Sequence, residues 1–213
     1  MILVIGCRTL NPSTNQKDCN KKIPNNAEDI CPILIGQSLP KLILRSQDNE
    51  LVNLNSVIAE KPTLLVFFRG GWCPYCNLHL SQLQEIEPDL IKLGFQIIAI
   101  SPDKPDVSKL YAQDTETKYT LLSDSDMTAA VALGLAFKVS DATLEKYKTY
   151  DIDLQANSGQ KHNLLPVPAV FLIGTDGVIQ FSYVNPNYKV RVDSGIVLKA
   201  AEVIAEETTA TNP

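Results

Sequence analysis

An apolar run at residues 63–68 (Thr-Leu-Leu-Val-Phe-Phe) leads through Arg69, Gly70, Gly71 and Trp72 into Cys73 and Cys76, a pair three residues apart. No other stretch restricts the fold as much. A continuous apolar run of this length, closed by glycines, has the form of a central strand buried on both faces. Beyond the pair, Leu80, Leu83, Ile86 and Leu90 recur at spacings of three and four, which places them on one face of an amphipathic helix. Pro88 predicts a kink or a division of that helix. Cys73 thus stands where a buried strand gives way to a helix N-terminus.

That position has chemical consequences. A cysteine reacts as its thiolate, and unpaired backbone N–H groups with the helix dipole favour negative charge at a helix N-terminus. Cys76, one turn on, is close enough to attack a mixed disulfide and release the first sulfur. The spacing therefore supplies a nucleophile and a resolver. Two structural cysteines packed as small hydrophobes would leave the glycines and Trp72 unexplained. A zinc site needs four ligands, and only His79 lies near enough to make a third, so no metal is expected. Attached c-type haem requires histidine directly after the second cysteine, where this chain has Asn77.

Composition narrows the partners. With hydrophobic residues at 45% and charged residues at 20%, an ordinary soluble globular protein with a packed core is expected. The net charge of -5 provides no basic stripe to neutralise phosphates, so no nucleic-acid partner is expected. Five cysteines, at 7, 19, 31, 73 and 76, are too sparse for the disulfide framework of a small secreted scaffold.

The rest of the chain reads as alternating strands and helices. Residues 41–45 and 50–54 are short strands around the turn Gln47-Asp48-Asn49 and form an N-terminal β-hairpin extension. Strands at 95–100 and 120–122 and helices at 105–113 and 127–135 follow, the grammar of a mixed α/β sheet. Residues 142–150 predict an inserted helix and 157–163 a loop. Strands at 169–173 and 178–184 flank Gly174-Thr175-Asp176-Gly177 as an antiparallel hairpin. A helix over 193–206, capped by Asp193 or Ser194, closes the domain. The expected division is a flexible tether at 1–30, one domain at 31–208 and a disordered tail at 209–213. Residues 1–7 end in Val4-Ile5-Gly6-Cys7, similar to a lipoprotein cleavage box but without the basic segment that precedes one. If the true start lies upstream, Cys7 is a lipid-anchor site and the protein belongs to the cell envelope; otherwise the bacterial cytoplasm is expected.

The string Phe68-Arg69-Gly70-Gly71-Trp72-Cys73-Pro74-Tyr75-Cys76, the later Leu165-Pro166-Val167-Pro168, and Asp176-Gly177 resemble the peroxiredoxin-like branch of the alkyl hydroperoxide reductase and thiol-specific antioxidant (AhpC/TSA) family, over roughly residues 32–205. The resemblance implies a thioredoxin-like fold, a central mixed sheet flanked by helices, with no cofactor. It implies that Trp72, Pro74 and Tyr75 frame the cysteines, and that Pro168, next to Val167, is a cis-proline facing them. Two departures from the family pattern matter. Cys73 occupies the place of the hydroxyl in the family's Thr-x-x-Cys or Ser-x-x-Cys motif, and Pro168 stands where a later strand should contribute the peroxide-stabilising arginine. Arg69 and Arg191 are the candidates to replace it, against an ordinary surface or strand-capping role for each. The peroxiredoxin register makes Cys76 the attacking sulfur and the thioredoxin register makes it Cys73; the free helix end favours Cys73.

The expected activity is a thiol-dependent peroxidase that reduces hydrogen peroxide or organic hydroperoxides through a Cys73/Cys76 dithiol-disulfide cycle, with a thioredoxin-like or other dithiol as reductant. A thiol-disulfide oxidoreductase acting on protein disulfides and a non-enzymatic redox-sensing module are the alternatives. His79 reads as a surface residue rather than a tuner of the pair, and His162 as a solvated loop residue. Oligomeric state is open.

Overall fold

The computed structural model describes residues 22–211. The Cys7 motif lies outside them. Strands β1 (Ile43–Arg45) and β2 (Leu51–Asn53) pair antiparallel, and α1 (Leu54–Glu60) follows with the Asn53 side chain accepting the Ser56 N–H at its N-terminus. Next come β3 (Thr63–Phe67), α2 (Pro74–Lys92), β4 (Gln96–Ser101), α3 (Pro105–Asp114) and β5 (Thr120–Ser123). They are followed by α4 (Thr128–Ala132), β6 (Ala136–Lys138), α5 (Asp141–Lys148), α6 (Leu154–Ser158) and β7 (Leu164–Pro166). The hairpin β8 (Ala169–Ile173) and β9 (Ile179–Val184) and the helix α7 (Ser194–Thr211) complete the chain.

Seven strands form one mixed sheet in the order β2-β1-β5-β4-β3-β8-β9. β3, β4 and β5 run parallel, while β8 lies antiparallel against β3. The unbroken apolar run of β3 follows from its central place. Leu65 and Phe67 enter one core with Ile58, Ile98, Ile100 and Phe171, while Leu64 and Val66 enter the other with Leu80, Leu83, Leu90 and Val197. Alternate residues point to opposite faces of a strand, and both faces here are covered, so neither set is polar. Phe67 meets Phe171 edge-on, ring centroids 6.4 Å apart.

Four local expectations are corrected. Helix α2 continues through Pro88 as one element, since Leu80, Leu83 and Leu90 on both sides of the proline are anchored in the core. That burial outweighs the single hydrogen bond Pro88 cannot donate. The helix expected to reach residue 135 stops at Ala132: Gly134, at φ +68°, turns the chain into β6, which pairs antiparallel with β7 in a small second sheet. The loop at 157–163 begins two residues late, because the Asp153 carboxylate caps α6 through Gln155 N–H and Ala156 N–H. Helix α7 runs on to Thr211, past the expected boundary at 208.

The fifth correction concerns the expected tether. Residues 22–30 belong to the body: Ile23 and Ile30 pack against the core, and the Pro24 carbonyl accepts the Lys138 N–H of β6 at 2.8 Å. Two separated apolar side chains carry no periodicity, which is why a pattern search passes over them. Cys31 is disulfide-bonded. The Cys31 carbonyl sits so close over Gly134 that a Cβ there would stand 1.9 Å from it.

Candidate active site at the Cys73 and Cys76 helix end

The chain leaves β3 through Phe68, whose N–H is held by the Ile100 carbonyl at 3.0 Å, and then makes a tight loop. Gly70 adopts φ +135°, and a Cβ on it would lie 2.4 Å from Trp72 Nε1 and 2.9 Å from Asp103 Oδ1. Only glycine fits such a backbone without strain. Within the loop Cys73 N–H donates to Gly70 O at 3.1 Å, Gly71 N–H to Asp103 Oδ2 at 2.8 Å, and Asn77 Nδ2 to Gly71 O at 2.9 Å. Cys73 thereby becomes the N-cap of α2, with Pro74 in the first turn, where a missing N–H is harmless.

Both sulfurs are buried, each cysteine being 1% exposed, and their environments divide the charge between them. The Cys76 thiol donates to Cys73, and this interaction is the largest in bringing the Cys73 thiol down from 9.0 to about 6. Burial opposes it, while Arg69, the Cys76 backbone N–H and Arg191 assist. Burial, followed by the hydrogen bond and charge of Cys73, pushes the Cys76 thiol up. These shifts in opposite directions favour the negative charge on Cys73 and the proton on Cys76.

The structure places both candidate arginines at this pair. Arg69 is no surface residue: it is 4% exposed, donates to the Tyr147 hydroxyl, and lies 3.9 Å from the Tyr188 ring centroid and 5.1 Å from that of Trp72. Arg191 comes from the segment after β9, and its Nη2 stands 3.4 Å from Cys76 Sγ. Tyr75 is 39% exposed and meets Tyr188 edge-on, whereas Trp72 packs on Tyr147 at 5.5 Å. Val167 and Pro168 line a cleft of about 260 Å³ together with Arg69, Tyr147 and Tyr188.

Pro168 is not cis, for the described residues contain no cis peptide bond. Val167 N–H is held by Leu135 O at 2.9 Å and Ala169 starts β8 opposite Phe67, so the chain passes extended from one strand to the next. His79 is also corrected: it is 5% exposed, its Nε2 has no hydrogen-bond partner, and burial first and the Arg191 charge second lower its pKa to about 4. The ring is neutral. His162 is no freely solvated loop residue: it fastens its loop through Ser125 O and Leu164 N–H. Sequence reasoning passed over Tyr147, Tyr188 and Asp103, whose aromatic and carboxyl groups carry no local signal of where they converge.

A sheet of this order with a buried, asymmetrically charged Cys-x-x-Cys at the N-terminus of the helix after its central strand defines a thioredoxin-fold dithiol redox protein. The family model described as AhpC/TSA matches residues 35–182, and the chain belongs to that family. It is 31% identical to "Peroxiredoxin Bcp" of Escherichia coli over 104 residues. That stretch spans 49% of this chain and 66% of the relative, just short of two thirds. "Alkyl hydroperoxide reductase E" of Mycobacterium tuberculosis is 29% identical over 119 residues, 56% of this chain and 78% of the relative. In fold, the chain is similar to reduced Prx3 from Vibrio vulnificus, with a TM-score of 0.66 at 20% identity over 80% of this chain and 99% of that one.

Proposed function

We propose that this protein is a thiol-dependent peroxidase in which Cys73 is the peroxidatic cysteine and Cys76 the resolving one. The Cys73 thiolate attacks the terminal oxygen of the peroxide, the O–O bond breaks, and the departing oxygen takes a proton to leave as water or an alcohol. Cys73 is then a sulfenic acid. The Cys76 thiol condenses with it, forming the disulfide and releasing water, and an external dithiol of the thioredoxin type returns both sulfurs to the reduced state. Negative charge builds on the departing oxygen, and the guanidinium of Arg191, already against the sulfur pair, is the group that stabilises it.

The observation that carries this reading is the burial of a thiolate. A sulfur held near pKa 6 in a residue 1% exposed is reactive, yet it is reached by a two-oxygen oxidant far more readily than by the disulfide of a folded protein. The names of the curated relatives support the same chemistry. Stopped-flow mixing of the reduced protein with hydrogen peroxide and with an organic hydroperoxide tests it. Rapid oxidation is expected in the wild type, none with Cys73→Ser, and a trapped sulfenic acid on Cys73 with Cys76→Ser. A wild type that reacts no faster than a free thiol of the same pKa refutes the proposal.

A further inference from the structure

Beneath the cysteine loop lies a carboxyl group that the peroxidase cycle leaves unused. Asp103 follows β4 by two residues and is 1% exposed. Its backbone is fixed from three sides: Ser123 Oγ of β5 donates to its carbonyl at 2.6 Å, Ser108 Oγ of α3 donates to the same oxygen at 3.4 Å, and its own N–H meets Ser101 Oγ at 3.2 Å. The carboxyl is therefore presented by the sheet as a rigid acceptor. Its Oδ2 takes the Gly71 N–H at 2.8 Å and the Ser101 hydroxyl at 3.3 Å, while Oδ1 is buried without a hydrogen-bond partner.

Burial of that carboxyl carries a penalty, visible in its pKa, raised to about 6 by desolvation although both hydrogen bonds oppose the rise. Its stabilising counterpart is the loop. Gly71 is clamped on its N–H by Asp103 from the sheet and on its carbonyl by Asn77 from α2, and Gly70 O then receives the Cys73 N–H. Two consecutive loop residues before the nucleophile, Gly70 and Gly71, are thus fixed between a strand end and a helix. The glycine at 70 belongs to the same device, since a Cβ there would collide with the carboxyl.

We propose that Asp103 is a positioning residue: by accepting the Gly71 N–H it holds the loop that seats Cys73 at the N-terminus of α2, and so keeps the Cys73 sulfur on the donors that make it a thiolate. Its catalytic consequence rests on the peroxidase reading above; its effect on Cys73 does not. A carboxylate acting merely as a nearby charge would disfavour the Cys73 thiolate, so removing it would lower the Cys73 pKa. A carboxylate acting as a clamp gives the opposite sign.

The experiment compares Asp103→Ala with Asp103→Asn, whose amide oxygen can accept the same N–H without charge. Iodoacetamide alkylation of Cys73 in the full chain is followed against pH, with the site of labelling read by peptide mass spectrometry. In wild type the midpoint is expected near pH 6. Asp103→Ala moves it up by about one pH unit or more, roughly a fivefold loss of thiolate at pH 6, while Asp103→Asn leaves it in place. The proposal is overturned if both variants lower the midpoint, if neither moves it, or if Asn raises it as far as Ala does. Should Asp103→Ala fail to fold, Asn77→Ala, on the other side of the clamp, is expected to raise the midpoint in the same direction, and an unchanged midpoint there overturns the proposal. Peroxide consumption recorded on the same variants separates the two readings. If the midpoint moves as stated but wild type shows no peroxide turnover, the positioning role stands and the peroxidase falls.

Discussion

Replacing Cys76 by alanine removes the group that does most to hold Cys73 as a thiolate, its hydrogen-bonded thiol. A hydrogen bond to a charged group is worth about 1.5 to 3 kcal/mol, equivalent to roughly one to two pH units in the acceptor's ionisation. Burial, which opposes ionisation, stays in place, and so do Arg69, Arg191 and the Cys76 backbone N–H. The Cys73 midpoint should accordingly rise from about 6 to roughly 7 to 8 in Cys76→Ala, and the thiolate share at pH 7 should fall from about 90% to between roughly 10 and 50%. Cys76→Ser keeps an O–H donor at the same place and should shift the midpoint much less. Both variants lack the resolver, so the comparison isolates the hydrogen bond. Site-located alkylation against pH is the assay. If alanine and serine give the same midpoint, the thiol hydrogen bond is not what charges Cys73; if the low-pH label in wild type falls on Cys76, the two roles are reversed. The same ionisation links to stability. Since the folded-state pKa lies below the ordinary value, the Cys73 contribution is full above pH 9 and is lost as pH falls through about 6. Relative to Cys73→Ser, the reduced wild type should gain stability between pH 6 and pH 9, by about 4 kcal/mol at most, in urea unfolding.

Three further outcomes are expected. Arg191→Ala should slow peroxide reduction tenfold or more while barely changing reduction of a protein disulfide, because an oxyanion donor is worth about 3 to 4 kcal/mol in the transition state; an unchanged peroxide rate would remove Arg191 from the mechanism. Gly134→Ala combines a left-handed φ of +68° with a Cβ placed 1.9 Å from the Cys31 carbonyl, and should destabilise the protein by about 2 to 4 kcal/mol in chemical denaturation. Deleting the chain through residue 30 strips Ile23 and Ile30 from the core and leaves Lys138 N–H without its Pro24 acceptor, so the melting temperature should drop by about 5 °C or more; an unchanged melt would show that the segment adds nothing to the body.

The local sequence was sufficient where the physics is local. The position of β3 between two cores is written in its unbroken apolar run, the face of α2 in the spacing of Leu80, Leu83 and Leu90, and the start of that helix in Cys73 followed by Pro74. Periodicity and capping depend on residues within one or two turns of each other, so a single chain read from left to right contains them. Polar side chains brought together by the sheet order are another matter. Arg191 reaches Cys76 across 115 positions only because β8 pairs with β3 and β9 with β8, which carries the segment after β9 to the end of α2. Asp103 reaches Gly71 only because β4 lies beside β3 in parallel register. The burial of Arg69 and His79, both expected at the surface, likewise depends on which aromatic rings and which loop close over them. A guanidinium or an imidazole carries no mark in sequence of the desolvation it will meet, because desolvation is set by neighbours that are distant along the chain. The sequence by itself determined the strand, the helix and the cysteine pair between them. Only the tertiary structure brings the arginines and the depth of burial to the pair, because both come from groups distant along the chain.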